Sequence, residues 1–96
     1  MKYRKKPVEV EAFQLTTDVD VIAPDWFTKA VAAEEIWIDR ILEDGHVRVY
    51  GCTINSQRGS QHARIGEYII REPDGTIHAC KKNVFIRDYE KAGGAA

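Results

Sequence analysis

One segment sets the architecture of this chain: Ile36-Trp37-Ile38-Asp39-Arg40-Ile41-Leu42-Glu43-Asp44-Gly45-His46-Val47-Arg48-Val49-Tyr50. Its first three residues begin a β-rich run, directly after a helical periodicity that ends at Glu34-Glu35. Asp44-Gly45 then separates this run from the alternating residues 46–50, and Asp-Gly between two such runs is typical of a tight hairpin turn. The segment therefore predicts two antiparallel strands.

Two more hairpins are predicted downstream of this segment. One joins residues 52–54 to residues 63–65 around a polar loop at residues 56–61. The other spans residues 68–80 and turns at residues 72–75, Glu-Pro-Asp-Gly. Proline presets φ in such a turn and glycine accepts its left-handed position.

Upstream, the pattern predicts one strand and one helix. Residues 3–15 alternate until Phe13 and Leu15 break the parity, which predicts a strand with a bulge or bend near residues 12–13. A polar connection follows at residues 16–20. Pro24 then opens a helix whose apolar residues recur at helical spacing as far as Ala33.

The end of the chain predicts a second, shorter helix. Asn83 is placed to cap it, and Phe85 and Tyr89 share one face at a spacing of four. We expect a single domain at residues 1–92 and a flexible tail at residues 93–96.

These elements predict an α+β fold. Its centre is a small antiparallel β-meander of about six strands, with one helix packed on it and a short C-terminal helix. Such a meander either curls toward a barrel or leaves a long edge open, and an open edge predicts a homodimer or a higher homo-oligomer.

Charge is balanced overall but unevenly distributed. The 96 residues include 14 Lys+Arg and 15 Asp+Glu, for a net charge of −1, so bulk electrostatics attract neither double-stranded nucleic acid nor an anionic membrane. Basic residues dominate the start of the chain, acids dominate residues 9–44, and bases exceed acids again in residues 45–96. Either opposite patches pair within or between copies, or the basic start is the solvated edge of a strand. The basic residues of the start are Lys2, Arg4, Lys5 and Lys6.

Several classes of protein are disfavoured by missing patterns. The basic start runs into Pro7, Glu9 and Glu11 instead of an apolar signal segment, and the longest apolar run is residues 30–33, which predicts a cytoplasmic protein with no membrane partner. There is no Gly-x-Ser-x-Gly nucleophile motif, and the neighbouring carboxylates fall at helix ends and turns, so catalysis is the weaker class.

Metal binding and cysteine chemistry receive little support. Cys52 and Cys80 have no Cys-x-x-Cys spacing and are interpreted as buried thiols. Because there are two cysteines, one disulfide between them is the alternative. Together with His46, His62 and His78 they lack the short spacings of zinc motifs. No metal or cofactor is predicted.

Both ends of the chain resemble a family of small uncharacterised proteins from tailed phages and prophages. The resemblance covers both ends of the chain, and residues 18–61 lie outside it. Glu67 and His78 depart from that family, which more often shows Asp and an aromatic residue there. The resemblance implies a phage origin and agrees with the predicted fold, but it implies no reaction. The matching segments are Met1-Lys2-Tyr3-Arg4-Lys5-Lys6-Pro7-Val8-Glu9-Val10-Glu11-Ala12-Phe13-Gln14, Gly66-Glu67-Tyr68-Ile69-Ile70, Asp74-Gly75, Cys80-Lys81 and the Phe85 to Tyr89 run.

The polar segment at residues 56–62 is the strongest candidate for a site. Two arginines could hold a phosphate, two glutamines could contact a base or ribose, and Gly59 permits close backbone approach. An aromatic ring could stack on the base, if it faces outward. The alternative is an ordinary hairpin loop with both aromatic rings in the core. The candidate ligand-binding residues are Gln57, Arg58, Gln61, His62, Arg64, Trp37 and Tyr68.

Two functions are compatible with these patterns. The first is non-enzymatic capture of a small phosphate-bearing molecule; the phage resemblance extends this to sequestering a nucleotide signal of a bacterial defence system, by analogy. The alternative is a protein-interaction module that binds a host or virion protein through a sheet edge. Double-stranded DNA binding is disfavoured, because the basic residues do not cluster on one helix.

Overall fold

The computed structural model describes residues 1–3 and 8–91 and confirms the α+β class. The basic residues Arg4, Lys5 and Lys6 and the tail predicted at residues 93–96 lie outside the described residues. Six strands form two antiparallel three-stranded sheets, ordered β1-β5-β6 and β2-β3-β4, which do not close into a barrel. The elements are β1 (Glu11–Gln14), α1 (Val19–Ile22), α2 (Asp25–Ala32), β2 (Ile36–Glu43), β3 (His46–Ser56), β4 (Gly59–Arg64), β5 (Tyr68–Arg71), β6 (Ile77–Cys80) and α3 (Lys82–Asp88).

Two of the predicted hairpin turns are confirmed. Asp44 and Gly45 connect β2 to β3 with φ of 52° and 77°, the two left-handed residues that match the twist of a two-residue hairpin. Between β5 and β6, the Gly75 amide donates to the Glu72 carbonyl oxygen at 2.9 Å, and Gly75 has φ of 92°.

The β2–β3 pair contains one irregularity that controls which side chains share a face. Asp39 pairs with Gly51 and Arg40 pairs with Val49, so Tyr50 is an extra residue in β3. Because β2 itself continues regularly, alternate β2 residues from Ile36 face the core side of the sheet.

The prediction of a polar loop at residues 56–61 is wrong. β3 continues to Ser56 and β4 begins at Gly59, so only Gln57 and Arg58 form the turn. The Ser56 hydroxyl donates to the Gly59 carbonyl oxygen at 2.9 Å. Polar composition here reflects a strand end exposed to solvent, and the sequence pattern could not separate that from a loop.

The first strand is shorter than predicted, and its predicted bulge is wrong. In the described residues β1 spans Glu11–Gln14, and it pairs with β5 in an unbroken register. The parity change at Phe13 has another cause. Ile69 and Ile70 of β5 point to opposite faces and are both fully buried, so both faces of this sheet are covered and apolar residues suit either side of β1.

The helices agree with the patterns in part. α2 begins after Pro24, which is its N-cap residue, and buries Phe27 and Ala30. α3 begins at Lys82 with Lys81 as N-cap, so the predicted cap at Asn83 is wrong. The short helix α1 occupies the end of the predicted polar connection, and its Val19 is buried.

The core lies between α2, the inner face of β2-β3-β4 and one face of β1-β5-β6. Phe13 and Phe27 meet edge to face with ring centroids 5.0 Å apart, which suits the quadrupoles of two aromatic rings. The buried apolar residues of this core are Leu15, Val19, Phe27, Ala30, Ile36, Val49, Cys52, Ile54, Ala63 and Ile69. The outer face of β2-β3-β4 therefore remains available to solvent.

Candidate functional site

The outer face of β2-β3-β4 brings three of the sequence-predicted residues together. Trp37 pairs with Thr53, and Thr53 pairs with His62, so the three side chains form one row across the sheet. Directly opposite residues of antiparallel strands point to the same face. Arg64 stands two positions after His62 in β4 and therefore lies on the same face, in the next row.

The second row has a gap at its centre. Asp39 pairs with Gly51, and Gly51 pairs with Arg64, so an acid and a base flank a residue without a side chain. A Cβ atom on Gly51 would overlap the carbonyl oxygen of Ala63, so the fold itself requires glycine here. Together the two rows form a shallow trough, which we call the outer trough, with Trp37 and Asp39 on one wall, His62 and Arg64 on the other, and Thr53 and Gly51 on its floor. The backbones of β2 and β4, which carry its walls, stand two strand spacings apart, about 10 Å.

A hydrogen-bond chain crosses the floor of the outer trough. The Thr53 hydroxyl donates to Asp39 Oδ2 at 2.9 Å and lies 3.0 Å from His62 Nδ1. A carboxylate only accepts, and a hydroxyl has one proton to donate. His62 Nδ1–H must therefore donate to Thr53, which leaves Nε2 of the neutral ring as an acceptor.

Trp37 points outward, so the alternative that places its ring in the core is wrong. Its side chain is 59% exposed, and the indole Nε1–H donates to the Glu34 carbonyl oxygen at 3.2 Å. Because hydrogen bonds anchor both Trp37 and His62, each ring is partly fixed before any ligand arrives. A preorganised ring loses less freedom on binding than a mobile one.

The structure separates the remaining predicted residues from the outer trough. Gln57 and Arg58 form the β3–β4 turn, and Arg58 lies six residues before Arg64, about 20 Å away along an extended strand. Gln61 faces the opposite side of β4, where its Oε1 accepts from the Ala79 amide at 2.9 Å and ties β4 to β6. The structure therefore gives no support to one phosphate held by both arginines.

Tyr68 belongs to a different part of the molecule. It stacks on Phe85 with ring centroids 3.9 Å apart, and Phe85 stacks on Tyr89 at 5.0 Å. These rings line a groove of about 810 Å³. The sequence does not predict this groove; it indicates only that Phe85 and Tyr89 share one helix face. The charged lining of the groove is three acids and one base, which disfavours a phosphate. The remaining lining residues are Val8, Glu9, Val10, Ala12, Asp88, Glu90 and Lys91.

The Arg64 guanidinium of the outer trough forms no ion pair within the described part of the chain. Neither the Arg64 nor the Arg58 guanidinium has a carboxylate within 4.0 Å there, whereas Arg48 and Arg40 are paired with Glu43 and Asp20 at 2.9 Å. The Glu67 carboxylate instead accepts from the main-chain amide of Arg64 at 2.8 Å. The Arg64 guanidinium is exposed and can therefore accept an anionic partner.

The two cysteines are free thiols, so the disulfide alternative is wrong. Cys52 is fully buried; burial, with smaller contributions from the charges of Asp39 and Glu67, raises its pKa to about 12. Cys80 is half-buried, and burial also raises its pKa. Thiols with raised pKa values hold little thiolate at neutral pH and are poor nucleophiles.

Within residues 1–3 and 8–91, no three histidine, cysteine, aspartate or glutamate side chains converge to hold a metal ion. No helix in the same residues is long and apolar enough to cross a membrane. No protein-family model, curated protein or solved structure matches this chain.

Proposed function

We propose that this protein is a small, non-enzymatic binding protein that captures a phosphate-bearing nucleotide in the outer trough. The observation that supports this proposal is the juxtaposition of Trp37, His62 and Arg64 on one exposed sheet face. A nucleotide offers the matching chemistry: a flat base, hydrogen-bonding groups and an anion. Each of the three side chains suits one of these parts.

The base is assigned to the Trp37 side of the outer trough. Stacking of a base on an aromatic side chain contributes about 1–3 kcal/mol and tolerates any base, because every base has a π face. A floor of threonine and glycine lets the ring edge approach the sheet backbone. The indole is already anchored through its Nε1–H, so stacking requires little reorganisation.

The phosphate is assigned to Arg64. Its guanidinium can donate two parallel hydrogen bonds to phosphate oxygens, which gives direction as well as charge attraction. Asp39 stands across the outer trough on the opposite wall and disfavours an anion there. This polarity orients the ligand, with the base toward β2 and the phosphate toward β4.

Isothermal titration calorimetry with cyclic nucleotides and ADP-ribose derivatives tests this proposal. Removal of one charged hydrogen-bonding partner costs about 1.5–3 kcal/mol, so Arg64→Gln should weaken binding roughly 10- to 150-fold. Arg58→Gln is the matched control, because Arg58 is also exposed and without an acidic partner among the described residues but lies about 20 Å away along the chain.

Absence of heat across the whole nucleotide panel would contradict the proposal, and so would equal losses for Arg64→Gln and Arg58→Gln. If the proposal holds, sequestering a nucleotide signal of a bacterial defence system is the corresponding biological role. That role rests on the sequence resemblance to phage proteins and on stoichiometric capture without turnover.

A second candidate function is binding of a host or virion protein through a sheet edge. It rests on β2, which is an edge strand whose outer side makes no backbone hydrogen bond to another element in the described part of the chain. Such an edge accepts an added strand. It also fits a second copy of the same chain, and the oligomeric state of the pure protein separates these two occupants.

A further inference from the structure

We propose that the open edge of β2, together with apolar side chains on the core side of the β2–β3 hairpin, binds a second copy of this chain. The patch consists of Leu42 and Val47, which are 71% and 67% exposed. Large apolar side chains that cluster on an exposed surface mark an interaction site, whereas isolated ones do not. This surface is distinct from the outer trough, which lies on the other face of the sheet.

The register explains why the two side chains share one face. Leu42 pairs with Val47, and Val49 precedes the extra residue of β3 on the same face, where it is buried in the core. The hairpin therefore continues the apolar core face beyond the elements that cover it. Arg40 donates two hydrogen bonds of 2.9 Å to Asp20, which ties α1 to β2.

The outer side of β2 supplies the main-chain part of the interface. Eight residues of β2 give an edge about 26 Å long. Two copies can pair these edges in an antiparallel manner about a two-fold axis, because such an axis maps the β2 edge of one copy onto the β2 edge of the other. The two sheets would then form one continuous six-stranded sheet, and the unpaired backbone groups of both edges would be satisfied.

Charge selects the centre of this pairing. A two-fold axis perpendicular to the sheet places one β2 residue opposite its own copy. An axis at Asp39 would set two carboxylates without a basic partner against each other, which destabilises a strand pair. An axis at Arg40 sets two arginines together, but each is already neutralised by its own Asp20 at 2.9 Å. Of these two centres, Arg40 is therefore the favoured one.

This centre also brings apolar residues together. It places Ile38 opposite the partner's Leu42 on the core-side face, and the symmetric contact forms at the other end of the pair. The charge at this centre is balanced, because each Arg40 forms its ion pair with its own Asp20. An identical copy therefore meets no uncompensated like charge at the centre of the strand pair.

The expected interface is small. A strip of 26 Å by roughly 20 Å covers about 500 Å² on each copy, or about 1,000 Å² in total, at the lower limit of specific interfaces. A dimer of this size is expected to dissociate in the micromolar range, so its mass must be followed over a wide range of protein concentration.

Light scattering coupled to size-exclusion chromatography, with native mass spectrometry, tests the interface on the full chain. The 10.9 kDa protein should show twice the monomer mass as its concentration rises through the micromolar range. Leu42→Asp should return it to monomer mass, because it places a charge opposite the partner's Ile38. Ile86→Asp is the matched control: Ile86 is 63% exposed on α3, and the variant should remain dimeric.

Three results would overturn the inference. The wild-type protein could stay monomeric at every concentration, or Leu42→Asp could leave the dimer intact. A monomeric protein that binds a purified host or virion protein, with binding lost in Leu42→Asp, would assign this surface to a foreign partner instead. Circular dichroism should confirm that Leu42→Asp is folded, and a substantially exposed side chain gives no reason for unfolding.

Discussion

Gly51 offers the sharpest test of how the sheet β2-β3-β4 is built. Its φ is not left-handed, so alanine meets no backbone strain there, but the added Cβ would overlap the Ala63 carbonyl oxygen and lie 3.4 Å from that carbonyl carbon. Both contacts are with backbone, which cannot rotate away. Gly51→Ala must therefore push β3 from β4 at the point where Cys52 and Ala63 pair.

The expected cost follows from two effects. Overpacking against a fixed neighbour costs about 1–3 kcal/mol, and weakening one or two ladder hydrogen bonds costs about 1 kcal/mol each. We expect the free energy of unfolding to fall by about 3 kcal/mol, which lowers the Tm by roughly 12–24 °C for a domain of this size. Urea denaturation followed by circular dichroism measures this loss.

Gly45→Ala is the control for this prediction. Gly45 has φ of 77°, and nothing lies within 4 Å of an added Cβ, so only backbone strain of about 1–2 kcal/mol is expected. If Gly51→Ala costs no more than Gly45→Ala, the close approach of β3 and β4 does not constrain this position and the reasoning fails. Gly51→Ala also adds a methyl group to the floor of the outer trough. Ligand binding by Gly51→Ala should therefore be measured only at temperatures where this variant is folded.

The remaining predictions concern the thiols and the histidine. A thiol reagent at pH 8 should modify Cys80 before Cys52 in the native protein and both at one rate in urea; equal native rates would contradict the burial of Cys52. Folding raises the pKa of Cys52 from 9.0 to about 12. The contribution of its thiol form to the free energy of unfolding is therefore fully present below pH 9 and is lost as the pH rises toward 12. Cys52→Ala should make the free energy of unfolding depend less on pH in this range. Nitrogen-15 NMR at neutral pH should find His62 with its proton on Nδ1, and Thr53→Val should abolish that preference; a proton on Nε2 in the wild-type protein would show that the hydrogen-bond chain does not form.

Local chemistry accounts for the parts of the fold that the sequence predicted well. Asp44-Gly45 and the turn at residues 72–75 need left-handed residues, and few residue types supply them, so the sequence alone locates both hairpins. The helix after Pro24 is equally local, since its start and its apolar spacing lie within one short segment. The α+β class follows from these elements.

The candidate site was predictable only in part. Arg58 and Arg64 are close in sequence, but the extended strand β4, which begins directly after Arg58, holds them far apart. Gln61 and His62 are adjacent, yet a strand sends them to opposite faces, one to the inter-sheet contact with β6 and the other to the outer trough. Tyr68 proved to belong to another sheet.

The sequence thus fixes the order of the elements, two of the turns and the amphipathic helix, because each depends on residues a few positions apart. Strand register, the extra residue at Tyr50 and the outward direction of Trp37 depend on pairing between distant segments. A shift of one residue in that pairing would exchange the two faces of β2. The meeting of Trp37, His62 and Arg64, and the exposure of Leu42, are therefore properties of the assembled sheet.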